Sequence, residues 1–320
     1  MTQEAKLRTY NMGEEFNINC PKEAIYAGYE AGLPSVPERK EYVFQVPRLR
    51  DLLAFWGSGE KALKIKGDPA TGKTSLVQQF HARLRAPLLL VSCSEGIEPY
   101  HLFGQLLPTE TASLKWVDGP VIKAARLGWS VLLDEYNTLN PNSSTALNAL
   151  LEGYPVTIPE TGETVVPHPN FRVFATENPV TSSLAVTGRN VQDVANDDRW
   201  MVMEVDYLNP SEEVPIVESV VMSAMGNQEA AHQAATIMVS TANAVRTACR
   251  DGSRLIDKPM STRVLVRWAR LLRMYAKVTK DEAGNDTIPL LYSLKRAFSV
   301  TSNEMGVEVL RLAKSSAGVE

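Results

Sequence analysis

Residues 67–74 read Gly-Asp-Pro-Ala-Thr-Gly-Lys-Thr, which has the spacing G-x-x-x-x-G-K-[ST] of a phosphate-binding loop. The alternating segment before this loop, residues 62–66, predicts a strand, whereas residues 75–84 carry apolar side chains at helical spacing. A loop between a strand and a helix can direct backbone N–H groups and the helix N-terminus at phosphate oxygens. We therefore predict that the chain binds a nucleoside triphosphate.

The end of this loop carries the two side chains with the most specific predicted roles. Lys73 is expected to reach the β- and γ-phosphates, and Thr74 is expected to hold Mg²⁺. The alternative, a glycine-rich turn with a chance Lys-Thr pair, does not account for the flanking strand and helix. The other predicted nucleotide-binding residues are Gly67, Asp68, Pro69, Ala70, Thr71, Gly72 and Ser75.

Composition limits the remaining classes of protein. The 320 residues are enough for two domains, and 44% hydrophobic residues supply a core. A net charge of −4 gives no whole-chain argument for nucleic-acid binding. Three scattered cysteines, without a C-x-x-C pair, favour neither a disulfide framework nor a cysteine zinc site. Since we find neither a signal-peptide pattern nor an apolar run long enough to span a bilayer, we expect a soluble, cytoplasmic protein without membrane contact.

Two further segments predict buried strands that end in polar side chains. Residues 129–135 read Trp-Ser-Val-Leu-Leu-Asp-Glu, and residues 171–178 read Phe-Arg-Val-Phe-Ala-Thr-Glu-Asn. Ligands of parallel sheets bind at the carboxyl ends of the strands. Asp134 is therefore predicted to bind Mg²⁺ through water, and Glu135 to polarise the attacking water as a general base. Asn178 is either a hydrogen-bond donor to the γ-phosphate or this water, or an ordinary turn residue.

The rest of the chain predicts two hairpins and a helical C-terminal part. Residues 104–118 indicate a small hairpin inserted beside a helix, and residues 155–169 alternate around a Thr-Gly turn. A strand follows Arg199, and the pattern is helical from Pro210 onward. We predict an N-terminal extension at residues 1–40, an α/β nucleotide-binding domain at 41–209 and a helical domain at 210–320.

Several segments allow more than one interpretation. Residues 1–40 lack a clear period and predict an extension that packs on a neighbour or is partly mobile. Tyr42 and Val43 are either adenine contacts or ordinary core residues. Residues 180–198 indicate a loop near a subunit boundary. Residues 246–296 hold twelve Lys or Arg against five Asp or Glu, which suits a phosphate, a nucleic acid, an acidic neighbour or a solvated helix face.

Taken in order, these motifs resemble an AAA+ ATPase, which implies an αβα parallel-sheet core and a C-terminal helical lid domain. The insert at 104–118 and the hairpin at 155–169 are similar to the MoxR branch, which includes activators of Rubisco and nitric-oxide reductase. The resemblance covers about residues 40–300. Four motifs are similar to the ATPase subunit of aerobic cobaltochelatase: Asp134-Glu135-Tyr136, Pro167-His168-Pro169-x-Phe171-Arg172-x-Phe174-Ala175-Thr176, Asp198-Arg199-Trp200 and Met260-Ser261-x-Arg263.

The resemblance implies a role for each matching residue. Asn178 matches sensor 1. Arg199 matches the arginine finger, which acts on nucleotide bound by the adjacent subunit, and Arg263 matches sensor 2 of the lid. A finger supplied by a neighbour makes assembly a condition of hydrolysis, and the family expectation is a hexameric ring that uses ATP and Mg²⁺. The Walker A and Walker B pairs are matched by Lys73, Thr74, Asp134 and Glu135.

The resemblance also implies partners. We expect a protein with a von Willebrand factor A-type domain and a metalloenzyme client, with metal insertion as a narrower version of the function. One departure is Glu177, since MoxR relatives more often carry a neutral residue beside Asn178.

Two other functions are weighed against this one. A nucleic-acid motor would share the hairpin before sensor 1, but residues 155–169 contain two glutamates and only His168 as a possible cation. Nucleic acid is therefore the alternative rather than the expected partner. A small-molecule kinase does not need Asn178, Arg199 and Arg263 in this order.

Overall fold

The computed structural model of the chain describes residues 7–110, 113–178 and 197–318, including the backbone but not the side chains of residues 223–225. The loop predicted at 180–198 lies outside this part except for its last two residues. The chain forms two compact units. Of the described residues, the first contains 7–67, 72–110, 113–178 and 197–205, and the second contains 68–71 and 206–318.

Eleven strands are described, and all of them belong to the first unit. They are β1 Leu7–Asn11, β2 Ile25–Tyr29, β3 Ala62–Lys66, β4 Leu88–Ser92, β5 Gly104–Pro108, β6 Leu114–Asp118, β7 Ser130–Asp134, β8 Val156–Thr157, β9 Thr164–Val165, β10 Arg172–Glu177 and β11 Met201–Glu204.

The helices of the first unit are short, and several begin with proline at a position where the missing N–H costs nothing. They are α1 Met12–Phe16, α2 Val46–Ser58, α3 Lys73–Leu84, α4 Pro99–Phe103, α5 Pro120–Leu127, α6 Pro141–Ala146 and α7 Asn148–Leu151, with a 3₁₀ turn at Tyr136–Thr138.

A five-stranded sheet in the order β11-β3-β10-β7-β4 forms the centre of this unit, and every pair of neighbours is parallel. Lys66 lies opposite Glu177, and Leu133 lies opposite Ala175, so the carboxyl ends of β3, β10 and β7 meet at one edge. The predicted α/β class with a parallel-sheet core is confirmed. The loops that follow these three strands carry the predicted site residues.

Apolar side chains cover both faces of the sheet, as expected for strands buried on two sides. Along β7, Val131 and Leu133 belong to one apolar cluster, while Leu132 belongs to the other, and all three are fully buried. Helix α5 packs in the first cluster and helix α3 in the second. The unit therefore has three layers, with helices on either side of the sheet.

The described N-terminal residues pack on this unit itself, whereas the sequence left open an extension that packs on a neighbour or is partly mobile. Strands β1 and β2 form an antiparallel hairpin, and Phe16, Tyr26 and Tyr29 are buried in the same cluster as α3. The Tyr26 hydroxyl donates to the Arg83 carbonyl at 2.9 Å. A Cβ on Gly28 would lie 2.9 Å from the Leu84 carbonyl oxygen, so only glycine permits this close packing.

Both predicted hairpins are present. Strands β5 and β6 pair from Gly104 opposite Asp118 to Pro108 opposite Leu114, and β8 and β9 pair over two residues each. The base of the first hairpin is narrow, because a Cβ on Gly119 would lie 2.8 Å from the Gly104 nitrogen.

Residues 206–318 of the second unit are helical, as predicted from Pro210 onward. The unit's core includes Trp268, which is fully buried and donates from Nε1 to the Leu290 carbonyl at 2.9 Å. Over the described residues, the helices are too short or too polar to cross a membrane. The helices are α8 Pro210–Met225, α9 Gln228–Arg250, α10 Thr262–Met274, α11 Pro289–Ala297 and α12 Asn303–Ala317.

Candidate nucleotide-binding site

The loop at residues 67–72 connects β3 to α3, as the spacing predicts. Gly72 has φ 91° at the N-cap of α3, a conformation that favours glycine. A Cβ at this position would meet nothing within 4 Å, so the backbone angle and not crowding requires glycine, and the space beside it is open. Ala70 also has a positive φ, 59°. Open space thus adjoins Gly72 at the N-terminus of a twelve-residue helix.

Lys73 and Asn178 meet at this edge of the sheet, although they are 105 positions apart in the chain. The Lys73 ammonium donates to Asn178 Oδ1 at 2.8 Å and to the Gly67 carbonyl at 2.7 Å. This meeting follows from sheet order, because β3, which precedes the loop, is the direct neighbour of β10, which precedes Asn178. Both side chains are buried, so the ammonium is held at the loop by polar atoms rather than by water.

The Thr74 hydroxyl donates to Asp134 Oδ1 at 2.7 Å. The same carboxylate oxygen accepts a second hydrogen bond, at 2.5 Å, from Thr176 on β10. The Thr176 hydroxyl also accepts from the Glu135 N–H at 3.0 Å. A continuous hydrogen-bonded chain therefore joins Thr74, Asp134, Thr176 and the backbone of Glu135.

Thr176 is a residue to which the sequence reasoning gave no role. A signal was present, since Thr176 lies near the carboxyl end of β10, two residues before the predicted site residue Asn178. Asn137 was missed as well: its Nδ2 donates to the Asn178 carbonyl at 2.8 Å, and its buried Oδ1 has no hydrogen-bond partner among the described residues. No periodicity in the sequence marks this contact, because Asn137 lies in the 3₁₀ turn.

Glu135 has an unusual backbone, with φ 59° and ψ 44° in the left-handed region. Such a conformation costs a residue with a side chain on the order of 1 kcal/mol or more. Hydrogen bonds hold it in place: the Glu135 N–H donates to Thr176, and the Glu135 carbonyl accepts from Thr138 Oγ1 at 2.7 Å. The side chain itself is exposed, so its carboxylate is accessible to water.

The two predicted arginines lie elsewhere. Arg199, just before β11, forms an ion pair with Glu152, with 3.1 Å between Nε and Oε1. Arg263 is exposed in the first turn of α10 in the second unit. Ser75 is exposed on α3. The first unit thus brings together five predicted site residues: Lys73, Thr74, Asp134, Glu135 and Asn178.

The adenine candidates differ from each other. Tyr42 packs edge-on against Phe44, with ring centroids 4.7 Å apart, and burial raises the pKa of its hydroxyl to about 12. Val43 is 64% exposed. Tyr42 therefore behaves as a core residue of the first unit, and Val43 remains a surface candidate.

Cys93 is the reactive group nearest to the carboxylates. Its N–H donates to the Asp134 carbonyl at 2.8 Å. Burial, followed by the charges of Asp134 and Glu135, raises the pKa of its thiol to about 12. The thiol stays protonated at neutral pH, which argues against a nucleophilic role.

The residues present fit a nucleoside triphosphate and a magnesium ion. An ammonium, a helix N-terminus and an open loop are suited to phosphate oxygens. Mg²⁺ binds oxygen ligands and uses one or two protein groups together with substrate phosphates. The hydroxyl–carboxylate pair of Thr74 and Asp134 is such a donor set, and the two atoms already lie 2.7 Å apart.

A parallel sheet between two helical layers, with this loop at its carboxyl edge, defines a P-loop nucleotide-binding protein. Residues 62–195 match the AAA domain of the dynein-related subfamily, and residues 218–284 match the CbbQ/NirQ/NorQ C-terminal domain. The chain thus combines an AAA domain with a CbbQ/NirQ/NorQ C-terminal domain, and it is similar to MoxR-type AAA+ proteins such as CbbQ and NorQ.

Individual relatives show how far the similarity extends. The chain is 28% identical over 205 residues to protein CbbQ of Hydrogenophilus thermoluteolus, covering 64% of this chain and 71% of the relative. It is 29% identical over 177 residues to protein NorQ of Paracoccus denitrificans, covering 54% and 64% respectively. It is 37% identical to midasin of Dictyostelium discoideum over 124 residues, 38% of this chain and 2% of midasin. The chain thus spans only part of the length of the relatives it matches.

Proposed function

We propose that this chain is the subunit of a ring-forming motor that hydrolyses Mg-ATP and remodels a partner protein. The observation that carries the proposal is the hydrogen-bonded chain from Thr74 through Asp134 and Thr176 to the Glu135 backbone. It ties a metal-binding pair to an accessible carboxylate on the next residue. A protein that only binds nucleotide does not need this second carboxylate at the site.

Each side chain has a role in this proposal. The Lys73 ammonium and the N-terminus of α3 bind phosphate oxygens, and Asn178 orients the γ-phosphate or the water beside it. Thr74 and Asp134 would hold Mg²⁺, which when bound neutralises charge on the phosphates. Glu135 accepts a proton from the attacking water as general base. Its strained backbone keeps the carboxylate at the end of β7.

Assembly supplies the remaining charge. Arg199 is proposed as a finger that acts on nucleotide bound by the next subunit, and Arg263 as the lid arginine of its own subunit. In the single chain, Glu152 neutralises Arg199 at 3.1 Å. A finger must therefore exchange this carboxylate for phosphate oxygens when the ring forms. We take a hexamer as the working stoichiometry.

The proposed client is a metalloenzyme reached through a von Willebrand A-type partner, with metal insertion as one form of the work. This choice rests on similarity to MoxR-type proteins and on the cobaltochelatase-like motifs. The basic bias at 246–296 does not favour nucleic acid, because Arg246, Arg250 and Arg296 pair with carboxylates of their own unit. In the hairpin at 155–169, Glu163 pairs with Arg126.

The substitution Glu135→Gln tests the proposal. We expect the variant to bind a fluorescent ATP analogue like the wild type, while Mg-ATP turnover falls about 10²–10⁴-fold because the general base is lost. Glu160→Gln in the exposed turn between β8 and β9 is the matched control and should leave turnover unchanged. Normal turnover by the Glu135 variant, or none by the wild-type protein, would count against the proposal.

A further inference from the structure

Lys64 is a fully buried lysine in the centre of the sheet. It lies on β3, opposite Ala175 of β10 on one side and Val202 of β11 on the other. Burying an ammonium without compensation costs several kcal/mol, so a lysine at this position needs anionic or polar partners. An apolar residue would fit a central strand better, and the presence of lysine calls for an explanation.

Two carboxylates supply the compensation. The Lys64 ammonium lies 2.5 Å from Asp197 Oδ1 and 3.5 Å from Glu177 Oε2. Lys66 approaches the other Asp197 oxygen at 3.3 Å. The rings of Tyr136 and Trp200 lie 5.2 Å and 5.3 Å from the Lys64 ammonium. We call Lys64, Lys66, Glu177 and Asp197 the Lys64 cluster.

The two carboxylates adjoin two different parts of the proposed machinery. Glu177 directly precedes Asn178, and Asp197 lies two residues before Arg199. One ammonium therefore contacts the segment that faces the bound nucleotide and the segment that carries the proposed finger. These segments are adjacent because β3 lies between β10 and β11 in the sheet.

The cluster is bonded unequally. Asp197 accepts hydrogen bonds from both lysines. Burial opposes its ionisation, but the hydrogen bonds and charges of Lys64 and Lys66 keep its pKa below the ordinary value. Glu177 Oε2 is buried, has the 3.5 Å ion contact, and has no hydrogen-bond partner in the described ranges. The Lys64 ammonium thus has Asp197 as its close partner and Glu177 as its distant one. A small movement of the ammonium can make Glu177 the closer partner.

We propose that Lys64 is a positioning residue that couples the nucleotide state at Asn178 to the placement of Arg199. When Asn178 moves with the γ-phosphate, Glu177 moves too, because Glu177 is the last residue of β10 and Asn178 directly follows it. The Lys64 ammonium then changes its distances to Glu177 and Asp197, and the segment before Arg199 moves with Asp197. The nucleotide in one subunit thereby sets the finger presented to the next. This inference rests on the proposed function, because it needs a ring with Arg199 acting on the neighbour.

The test measures ATP turnover against ATP concentration. Removing Lys64 would take away the ion contact of Glu177 and one of the two lysine partners of Asp197, which risks unfolding. Glu177→Gln is therefore the main variant, because it keeps the Lys64–Asp197 pair. Coupling between sites predicts a Hill coefficient above 1 for the wild type and a fall to about 1 in Glu177→Gln, with kcat changed less than about threefold. Glu204→Gln is the matched control, since Glu204 lies on β11 opposite Lys66 and is exposed.

Asp197→Asn provides the second measurement. The neutral side chain weakens the ion pairs of position 197 with Lys64 and Lys66, which position the segment before Arg199. We therefore expect kcat to fall about ten- to hundred-fold, while the dissociation constant for ATP stays the same. A merely structural role would change thermal stability without this split between kcat and binding. Hydrolysis with the same Hill coefficient in wild type and Glu177→Gln would overturn the coupling alone. No hydrolysis by the wild type would overturn the proposed function as well.

Discussion

Each of the two units contains a cluster of ions around a buried basic residue, and the clusters differ in how completely they are bonded. In the second unit, Arg246 donates to both oxygens of Glu213 at 2.8 and 2.9 Å and to the Met260 carbonyl at 2.7 Å. The Thr262 hydroxyl donates to the same carboxylate at 2.6 Å, and Tyr207 lies 4.0 Å from the guanidinium. This cluster is closed, because Arg246 and Glu213 are buried and their charged groups are directly paired.

The Lys64 cluster is open by comparison. Asp197 is partly exposed, and among the described residues Glu177 Oε2 has an ion contact at 3.5 Å but no hydrogen bond. A fully bonded pair has one arrangement and stabilises the unit in which it lies. A cluster with one weak contact can adopt a second arrangement at little cost. The difference indicates a structural role for the Arg246–Glu213 pair and a positioning role for Lys64.

The largest effect is expected at Arg199, two residues after Asp197 of the Lys64 cluster. Its substitution tests whether this cluster adjoins a group that ATP turnover needs. Arg199→Ala should bind ATP but lose about 10³–10⁵-fold in hydrolysis, because positive charge no longer reaches the transferred phosphoryl group. Mixing this variant with Lys73→Ala subunits should restore part of the activity, since each supplies what the other lacks at one interface. Turnover is measured over a range of mixing ratios.

The control for this experiment is Arg126→Ala, which removes an arginine of the same unit that pairs with Glu163 and Asp118. It should retain hydrolysis. If no mixing ratio restored activity to Arg199→Ala, action on a neighbouring subunit would be excluded. Arg199 would then resemble Arg246 as a structural group.

The next effect concerns the closed cluster. Arg246→Met should lower the free energy of unfolding by about 3–5 kcal/mol, because Glu213 is left as an unpaired buried charge. The Hill coefficient of the protein that remains folded should stay at the wild-type value. Urea unfolding followed by circular dichroism measures the first quantity, and ATP titration of turnover measures the second.

Arg311→Met is the matched control, because Arg311 pairs with Glu308 in an exposed i,i+3 pair. Its unfolding midpoint should equal that of the wild type. A loss of cooperativity in Arg246→Met without a loss of stability would reverse the roles that we assign to the two clusters.

The smallest effect concerns a buried ionisable group for which the described residues supply no ionic partner. His81 is fully buried on α3 beside Phe174, and desolvation lowers its pKa to about 4, with the Val77 carbonyl acting in the opposite direction. The unfolded chain therefore binds a proton that the folded chain does not between about pH 6.5 and pH 4. Stability is complete above this window and falls by about 3 kcal/mol on passing down through it.

Thermal unfolding of wild type and His81→Phe over this pH range checks the prediction. The aromatic replacement keeps the packing against Phe174, so the difference in stability between the two proteins should shrink or change sign as the pH falls. An equal pH dependence in both proteins would show that His81 is not the group responsible.

Much of the first unit could be predicted from local patterns. The phosphate loop, the strands before Asp134 and Asn178, and both hairpins follow from short-range spacing and turn residues. Residues 7–40 could not be predicted in this way, because the burial of Phe16 and Tyr26 depends on α3, more than fifty residues away.

The same limit explains what was missed at the site. Thr176 matters because β10 lies beside β7, and Lys64 meets Asp197 across 133 positions of sequence. Both contacts depend on the lateral order of parallel strands, which periodicity along one segment does not contain. Sequence reasoning therefore identified residues at strand ends and missed the residues that connect them.

The left-handed backbone at Glu135 has a consequence for selection. Glycine or asparagine would adopt φ 59° with less strain than glutamate. Selection for thermal stability alone would therefore favour substitution of Glu135 by glycine or asparagine. A variant library screened for heat resistance would therefore enrich changes at this position, and in the proposed role each of them would remove the general base. Stability and turnover therefore favour different residues at this one position. A thermostable variant that carries such a replacement is expected to lose ATP hydrolysis.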